Sequence, residues 1–355
     1  MLDIGNVTVM EISIAHDILS YILSSITLWR ILIFLLVLGN VKNIPLIWHL
    51  RIVNAFRFCC KTQRPKDPVT PAHLFQPLIT TSHAPIMEID FNFHKTNSSY
   101  FSDIDIARTH LVCTLFSTGI EEMRGGTAGW NPGNRPLFGL ALGAVSCSFR
   151  RELKPYETYE MWTRILSWDE KWVYIVTHFV KKDAVLPAGY SLYPQQNSST
   201  GPGADMRKSS SSSTIDTMAC NDAVVATALS KCVFKQGRRT VSPSLMLRQS
   251  NLLPQRSLDD LLANEMEETE SLSSTSSDSG IEMDDEERAR MCAIERERRR
   301  GIKIATTLAA QGQSALELEF RPDGEALGRH TDGTGVSGVF STLLNLAHIK
   351  KHQVL

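Results

Sequence analysis

The spacing of apolar and polar residues predicts a mixed helix-and-strand core in the middle of the chain. Residues 74–93 form an apolar, strand-like run, and residues 100–116 follow with the spacing of a helix. Three further strands are predicted at 137–151, 157–168 and 171–181, and a last one at 222–236. Because the turns between the middle three are short, we expect those three to form an antiparallel meander.

The composition outside these strands sets the predicted domain boundaries. We assign a membrane anchor and juxtamembrane segment to 1–66, a first core part to 67–190, a disordered insert to 191–221, the last core strand and its loop to 222–254, an acidic disordered linker to 255–285, and a helical extension to 286–355. The insert and the linker are rich in serine and poor in apolar residues, so they lack the surface that would offset the entropy of folding. A helix lying on a curved antiparallel sheet is an α+β architecture.

Ile18 to Leu38 is apolar except for a few hydroxyl residues and Arg30, and its length is about the ~20 residues that cross a bilayer. We therefore predict a single-pass membrane helix at the N-terminus. The alternative is an interfacial hairpin that turns at residues 43–45.

The charges around this run predict its orientation. Acidic residues precede it, and six basic residues follow it: Lys42, Arg51, Arg57, Lys61, Arg64 and Lys66. The positive-inside rule then places the long C-terminal part in the cytosol, with the endoplasmic reticulum as a candidate membrane. The sequon at Asn6 would lie in the lumen, where it could carry a glycan.

Charge and cysteine content exclude several classes of function. The net charge of −1 indicates no general attraction to nucleic acid, so we expect no nucleic-acid partner. The seven cysteines form no Cys-x-x-Cys pair, and the ten histidines are dispersed, so we predict no metal site. Residues 333–338 match Gly-x-Gly-x-x-Gly without a preceding predicted strand, so we also predict no cofactor.

The most informative stretch begins at Asp90, a carboxylate at the end of the first apolar run. His94 follows four residues later, and Asn97 begins an Asn-Ser-Ser stretch that offers helix-capping chemistry. A carboxylate can act as a base or a nucleophile, and a helix N-terminus can stabilise an oxyanion. We predict Asp90, His94 and Asn97 as catalytic residues, with backbone N–H groups near Ser99 and Tyr100 holding the oxyanion.

Each of these residues also has a structural interpretation. Asp90 could cap a turn, His94 could be a structural loop histidine, and Asn97 could be the helix N-cap. Tyr100 could serve only in packing. Asp105 and Arg108, three residues apart on the helix, are expected to form a salt bridge.

A family resemblance connects these residues. The Asp90…His94…Asn97…Tyr100 spacing resembles the hotdog-fold acyl-CoA thioesterases of the 4-hydroxybenzoyl-CoA thioesterase-like group, including membrane-anchored eukaryotic members. Further stretches at 136–143, 149–155, 168–172, 234–239 and 335–340 resemble fungal LcsJ-type thioesterases from secondary-metabolite clusters. The Asp-x-Asp pair of the family corresponds here to Glu88 and Asp90.

The resemblance implies a hotdog fold and hydrolysis of an acyl thioester carried by coenzyme A or an acyl carrier protein. It implies a homodimer with the site at the interface, and the catalytic carboxylate of the family maps onto Asp90. Three basic groups are candidates for contacts with the coenzyme A phosphates: Arg238 and Arg239, Arg150 and Arg151, and the cluster from Arg296 to Lys303. A basic run on a helix can equally be a solvated surface. The alternatives are a non-catalytic acyl-binding or scaffold protein, and a dehydratase or isomerase on the same fold.

Overall fold

A computed structural model describes residues 16–18, 20–21, 28–58, 64–123, 138–197, 223–254, 285–307, 315–316 and 318–348. Its strands are β1 Leu78–His83, β2 Phe138–Phe149, β3 Thr158–Trp168, β4 Val173–Lys181, β5 Val224–Gln236, β6 Arg239–Val241 and β7 Gly328–Thr331. Its helices are α1 Leu28–Gly39, α2 Ile47–Val53, α3 Asn97–Leu115, α4 Ser117–Met123, α5 Pro243–Gln249, α6 Asp285–Thr306 and α7 Gly335–His348. The long helix α3 packs on the sheet, which is the predicted helix-on-sheet arrangement.

The strands form one sheet in the order β2-β5-β4-β3-β1-β7, with β6 paired to β5. The predicted antiparallel hairpin of β3 and β4 is present, but the predicted meander is wrong at β2, which pairs with β5 instead of β3. The short connection after β2 crosses the end of the sheet. Arg150 and Arg151 donate backbone N–H bonds to Val225 on β5, and Tyr156 donates one to Ala84 beyond β1. Turn length alone could not reveal this crossing.

The first strand is shorter and the central helix longer than predicted. β1 ends at His83, and Pro85 precedes a 3-10 turn at Ile86–Glu88. The backbone then forms only an isolated bridge between Ile89 and Lys95 before α3 begins. The apolar run therefore covers a strand and a separate loop, and this change of direction carries Asp90 away from the sheet.

A buried ionic cluster lies between α3 and the sheet. Asp103 on α3 is 0% exposed. Lys42 and Lys95 place their Nζ atoms 3.0 Å from its Oδ2, and Arg51 places Nη2 3.0 Å from its Oδ1. The Tyr159 hydroxyl also donates to Oδ2. Burial would raise the pKa of Asp103, but the attraction of the three cations holds that pKa well below its usual range.

The cluster joins both ends of the chain to the core. The guanidinium of Arg51 also lies 2.9 Å from Asp332, which follows β7. Lys42 also donates to the His83 carbonyl, at 2.9 Å, and to the Glu88 carboxylate, at 3.1 Å. The predicted boundaries at 66/67 and 285/286 are therefore wrong, because Lys42, Arg51 and Asp332 complete the core. Lys42 and Arg51 consequently cannot serve as membrane-flanking surface charges.

Two further segments belong to the core against expectation. β7 pairs in parallel with β1, although its sequence Gly-Arg-His-Thr shows no apolar alternation. Leu192 and Tyr193, assigned to the disordered insert, are buried in the main hydrophobic cluster. The rest of the predicted insert, apart from residues 191–197, lies outside the described residues. The acidic linker also lies outside them, except for residue 285 at the start of α6.

The second half of the apolar N-terminal run forms helix α1. α1 contains no buried residue, and its side chains from Leu28 to Leu38 are exposed around the whole helix. Within the described residues, no helix has both the length and the apolar character needed to cross a bilayer. Most of the run before Leu28 lies outside those residues, as does the sequon at Asn6.

We expect the core to depend on residues 40–58. A chain beginning at residue 67 loses Lys42 and Arg51 and leaves Asp103 buried with a single cation. Removing one partner of a buried ion pair costs about 3–5 kcal/mol, so this truncation should fail to fold, whereas a chain beginning at residue 39 should fold. Thermal melts of the two truncations would test this expectation. Equal melting temperatures would contradict the structural role of the cluster.

Buried neutral imidazoles should make the fold sensitive to acid. Burial lowers the pKa of His178 to about 3 and that of His330 to about 4, and it holds the pKa of His110 well below its usual range. Below pH 6.5 the unfolded chain binds protons that the folded chain does not. The free energy of unfolding should therefore fall by about 1.4 kcal/mol per pH unit for each histidine between pH 6 and 4.5.

Urea denaturation at several pH values measures this slope. His178→Met, which replaces one imidazole with a residue that does not titrate, should reduce the slope by about one proton. A stability that does not change between pH 6 and 4.5 would show that these imidazoles titrate normally.

Candidate active site

The loop that carries Asp90 is held by its own backbone and by the Asp90 carboxylate. The Asp90 N–H donates to the His94 carbonyl at 2.9 Å, and the Phe93 N–H donates to the Asp90 carbonyl at 3.1 Å. Asp90 Oδ1 accepts the Asn92 N–H at 2.9 Å and the His94 N–H at 3.3 Å. Asp90 therefore shapes the loop in addition to presenting a half-buried carboxylate at the cleft.

Glu88 and Asp90 lie on opposite sides of this loop. Glu88 points inward, where its carboxylate is buried and bonds to both Lys42 and Lys95. Asp90 points into the cleft. The residue that matches the first acid of the family pair is thus part of the ionic cluster, and of the two acids in that pair only Asp90 lines the cleft.

His94 is oriented by an acidic residue from the connection after β2. Its Nε2 lies 2.9 Å from Glu152 Oε2. Its Nδ1 is buried and has no hydrogen-bond partner among the described residues. A carboxylate on one ring nitrogen fixes the orientation of the ring and leaves the other nitrogen for a second interaction.

The start of α3 differs from the predicted arrangement. Thr96 is the N-cap and exposed Asn97 is the first helical residue, so the N-cap interpretation of Asn97 is wrong. The Ser99 N–H donates to the Thr96 carbonyl at 3.1 Å, and the Ser99 hydroxyl donates to it at 2.8 Å, so Ser99 cannot hold an oxyanion as it stands. Tyr100 is buried, and its ring packs against Phe149.

These elements enclose a cleft of about 600 Å³. Asp90, His94 and Asn97 line one side, Tyr100 contributes to the lining, and Arg150, Arg151, Glu152 and Lys154 line the other. This volume falls in the range of small-molecule sites. The cleft therefore combines a carboxylate, an imidazole, a helix start and several cations.

Arg238 and Arg239 do not lie in this cleft. They are exposed at the turn between β5 and β6, whereas Arg150 and Arg151 contact Val225 at the other end of β5. Eleven residues of extended strand separate Val225 from Gln236, which is roughly 35 Å. Within one copy of the chain these two arginines do not line the cleft, and their role as substrate contacts stays a prediction. The predicted Asp105–Arg108 salt bridge is confirmed.

Sequence reasoning missed Glu152 as a cleft residue, and it did not separate Arg150 and Arg151 from the other arginines that could bind phosphate. All three belong to the stretch 149–155, whose similarity to family members was already a signal. Their position beside Asp90 depends on the crossing after β2, which the meander prediction excluded. Among the described residues, no group of three or more His, Cys, Asp or Glu side chains is placed to hold a metal ion.

Comparison with known proteins shows which family the chain belongs to. Residues 84–249 match the thioesterase-like superfamily. The chain is 33% identical to thioesterase poxG of Penicillium oxalicum strain 114-2 over 308 residues. The aligned segment covers 85% of this chain and 90% of poxG. It is 34% identical over 265 residues to the probable thioesterase atnL of Emericella nidulans, covering 68% and 78% of the two chains.

Among solved structures, the probable thioesterase YbaW of Escherichia coli matches 49% of this chain and 96% of its own, at 10% identity and a TM-score of 0.31. The family match covers Asp90, the residues that line the cleft and strands β2 to β6. The chain therefore belongs to the thioesterase-like superfamily, and it is a thioester hydrolase with the hotdog fold.

Proposed function

We propose that hydrolysis takes place in the cleft lined by Asp90 and His94, with an acyl thioester of coenzyme A as substrate. The observation that supports this most strongly is the meeting of a half-buried carboxylate, an oriented imidazole and a helix N-terminus around one cavity. An acyl thioester on a carrier protein presents the same reacting group.

Asp90 is the group we assign to the chemical step. Acting as a base, its carboxylate takes a proton from water while the hydroxide oxygen bonds to the thioester carbon. Acting as a nucleophile, it forms an anhydride that water then opens. Either route expels the thiolate, which is protonated to the thiol. The first backbone N–H groups of α3, at Asn97 and Ser98, have no acceptor within a helix and can stabilise the oxyanion.

Arg150 and Arg151 are the cations we assign to the coenzyme A phosphates. Both backbones are fixed to the Val225 carbonyl, so the two side chains leave a rigid base beside the cleft. Guanidinium groups bind phosphate oxygens with charge-assisted hydrogen bonds.

We further propose a homodimer that forms through β2. This 12-residue strand is at one edge of the sheet, and within the described residues it pairs only with β5. Leu142 and Phe149 on this strand are exposed. A long, exposed edge of this kind readily pairs with another strand, and a second copy would cover it.

The proposal includes attachment to a membrane through the N-terminal apolar run, with the hydrolase domain in the cytosol. The exposure of every apolar side chain in α1 supports it. We also propose a role in fungal secondary metabolism, which is what the resemblance to the LcsJ-type thioesterases implies.

Asp90→Asn should separate chemistry from folding. It keeps the size of the side chain and an oxygen that can accept the loop N–H bonds, but it removes the base. We expect turnover of acyl-CoA to fall about 100-fold or more, with an unchanged melting temperature. His94→Ala should reduce turnover less, because its role is orientation. Full activity of Asp90→Asn would exclude this cleft as the catalytic centre.

Paired arginine substitutions should locate the phosphate site. Arg150→Ala/Arg151→Ala should raise KM for acyl-CoA about tenfold or more, since each lost charge-assisted bond is worth ~1.5–3 kcal/mol. The matched double variant Arg238→Ala/Arg239→Ala removes the same charge at the other end of β5 and should leave KM unchanged. A larger effect from the second pair would place the phosphates at the β5–β6 turn.

A further inference from the structure

Three bulky, exposed residues near the end of α1 have left-handed backbone conformations. Leu46, Phe93 and Tyr156 have φ values of 72°, 62° and 59°. Among the described residues, the other non-glycine residues with positive φ are Asp183 and Asn251, whose side chains tolerate this conformation better. Strain at bulky residues persists only where the surrounding structure imposes it, and it marks positions with a function.

The end of α1 is fixed to the rim of the cleft on two sides. Asn40, directly after α1, accepts the Met87 N–H through Oδ1 at 2.8 Å and donates through Nδ2 to the Leu36 carbonyl at 2.7 Å. On the other side, a Cβ placed on Gly39 would lie 2.8 Å from the Tyr156 hydroxyl oxygen. The end of the helix is therefore bonded to the turn just before the Asp90 loop, and it closely approaches Tyr156 in the connection that carries Arg150 and Arg151.

Further apolar side chains extend this surface. Phe91 is 102% exposed and Phe93 is 76% exposed, one on each side of Asn92 in the Asp90 loop. Helix α7 packs against α2 and the turn at residues 41–43, and its Phe340 is exposed. We call Leu46, Met87, Phe91, Phe93 and Phe340 the apolar rim.

We propose that the apolar rim docks into the lipid bilayer, so that the cleft receives a long-chain acyl thioester at the membrane surface. This inference rests on the hydrolysis and membrane attachment proposed above. Apart from Arg30, the residues of α1 are apolar, and those from Leu28 to Leu38 are exposed on every side of the helix. A bilayer can cover such a helix all around, whereas a single partner surface covers one face. Met87 of the rim is bonded to Asn40 at the end of this helix. The proposal therefore places the rim at the membrane interface, where aromatic residues concentrate in membrane proteins.

The geometry also indicates the class of substrate. A long acyl chain partitions into the bilayer by about 0.8 kcal/mol per buried methylene group, while the coenzyme A group stays in water. The thioester then lies at the boundary between the two phases, which is where the rim would hold Asp90. A short-chain thioester gains nothing from this position.

Fluorescence quenching can measure the contact of the rim with lipid. The full-length chain is reconstituted into phosphatidylcholine vesicles with or without brominated acyl chains, carrying either Phe91→Trp or, as a control, Leu245→Trp. Leu245 is an exposed residue on α5, near the other end of β5. Because the chain already contains six tryptophans, quenching is compared with that of the unmodified chain. We expect Phe91→Trp to add fluorescence that brominated lipid quenches and Leu245→Trp to add fluorescence that it does not quench. Equal quenching of the two, or none at position 91, would overturn the proposal.

Kinetics provide a second measurement. The double variant Phe91→Asn/Phe93→Asn removes two exposed rings, and asparagine suits the positive φ at position 93, so folding should be retained. We expect kcat/KM for palmitoyl-CoA in vesicles to fall about tenfold or more, while that for butyryl-CoA changes less than about twofold. An equal loss for both substrates, or a change in oligomeric state by sedimentation, would assign the rings to the cleft or to a second copy and overturn the proposal.

Failure of the underlying function gives a different result. If the unmodified chain hydrolysed neither thioester, the proposed function would fail, while the quenching measurement would still decide whether the rim meets lipid.

Discussion

The burial of Asp103 is the constraint on which the rest of the structure depends. An ionised carboxylate between a helix and a sheet is strongly destabilising unless its charge is balanced, and here three cations and a hydroxyl balance it. These partners come from distant parts of the chain. Lys42 and Arg51 precede β1, Lys95 follows the Asp90 loop, and Arg51 also brings in Asp332. One buried charge therefore determines where both ends of the chain attach.

The same cluster positions the site. Lys95 is fixed inward by Asp103 and Glu88, and this holds the base of the Asp90 loop. Asp90 lies two residues after Glu88, and the hydrogen bonds of the loop itself hold its carboxylate at the cleft. The carboxylate to which we assign the chemistry therefore lies on a loop whose base is fixed by the ionic cluster, while its own Oδ1 accepts two N–H bonds of that loop.

The local parts of this arrangement could be predicted from the sequence. The helix after Asp90, the hairpin of β3 and β4 and the Asp105–Arg108 pair follow from short-range patterns. The pairing of β2 with β5 could not be predicted in this way, because β5 follows some 75 residues later and is buried on both faces. The parallel strand β7 could not be predicted either, because its four residues do not alternate between apolar and polar side chains. Lys42 and Arg51 were misassigned because charges beside an apolar run usually flank a membrane, whereas here they balance buried carboxylates.

The junction at Gly39 and Asn40 has a mechanical consequence. The helix enters the domain without a flexible linker, because Asn40 bonds to both α1 and the turn just before the Asp90 loop, and the Tyr156 hydroxyl closely approaches Gly39. Such a joint transmits rotation. One residue added within α1 would turn its preceding part by about 100° relative to the domain. The number of residues in α1 before Asn40 therefore sets the orientation of the cleft around the axis of this helix.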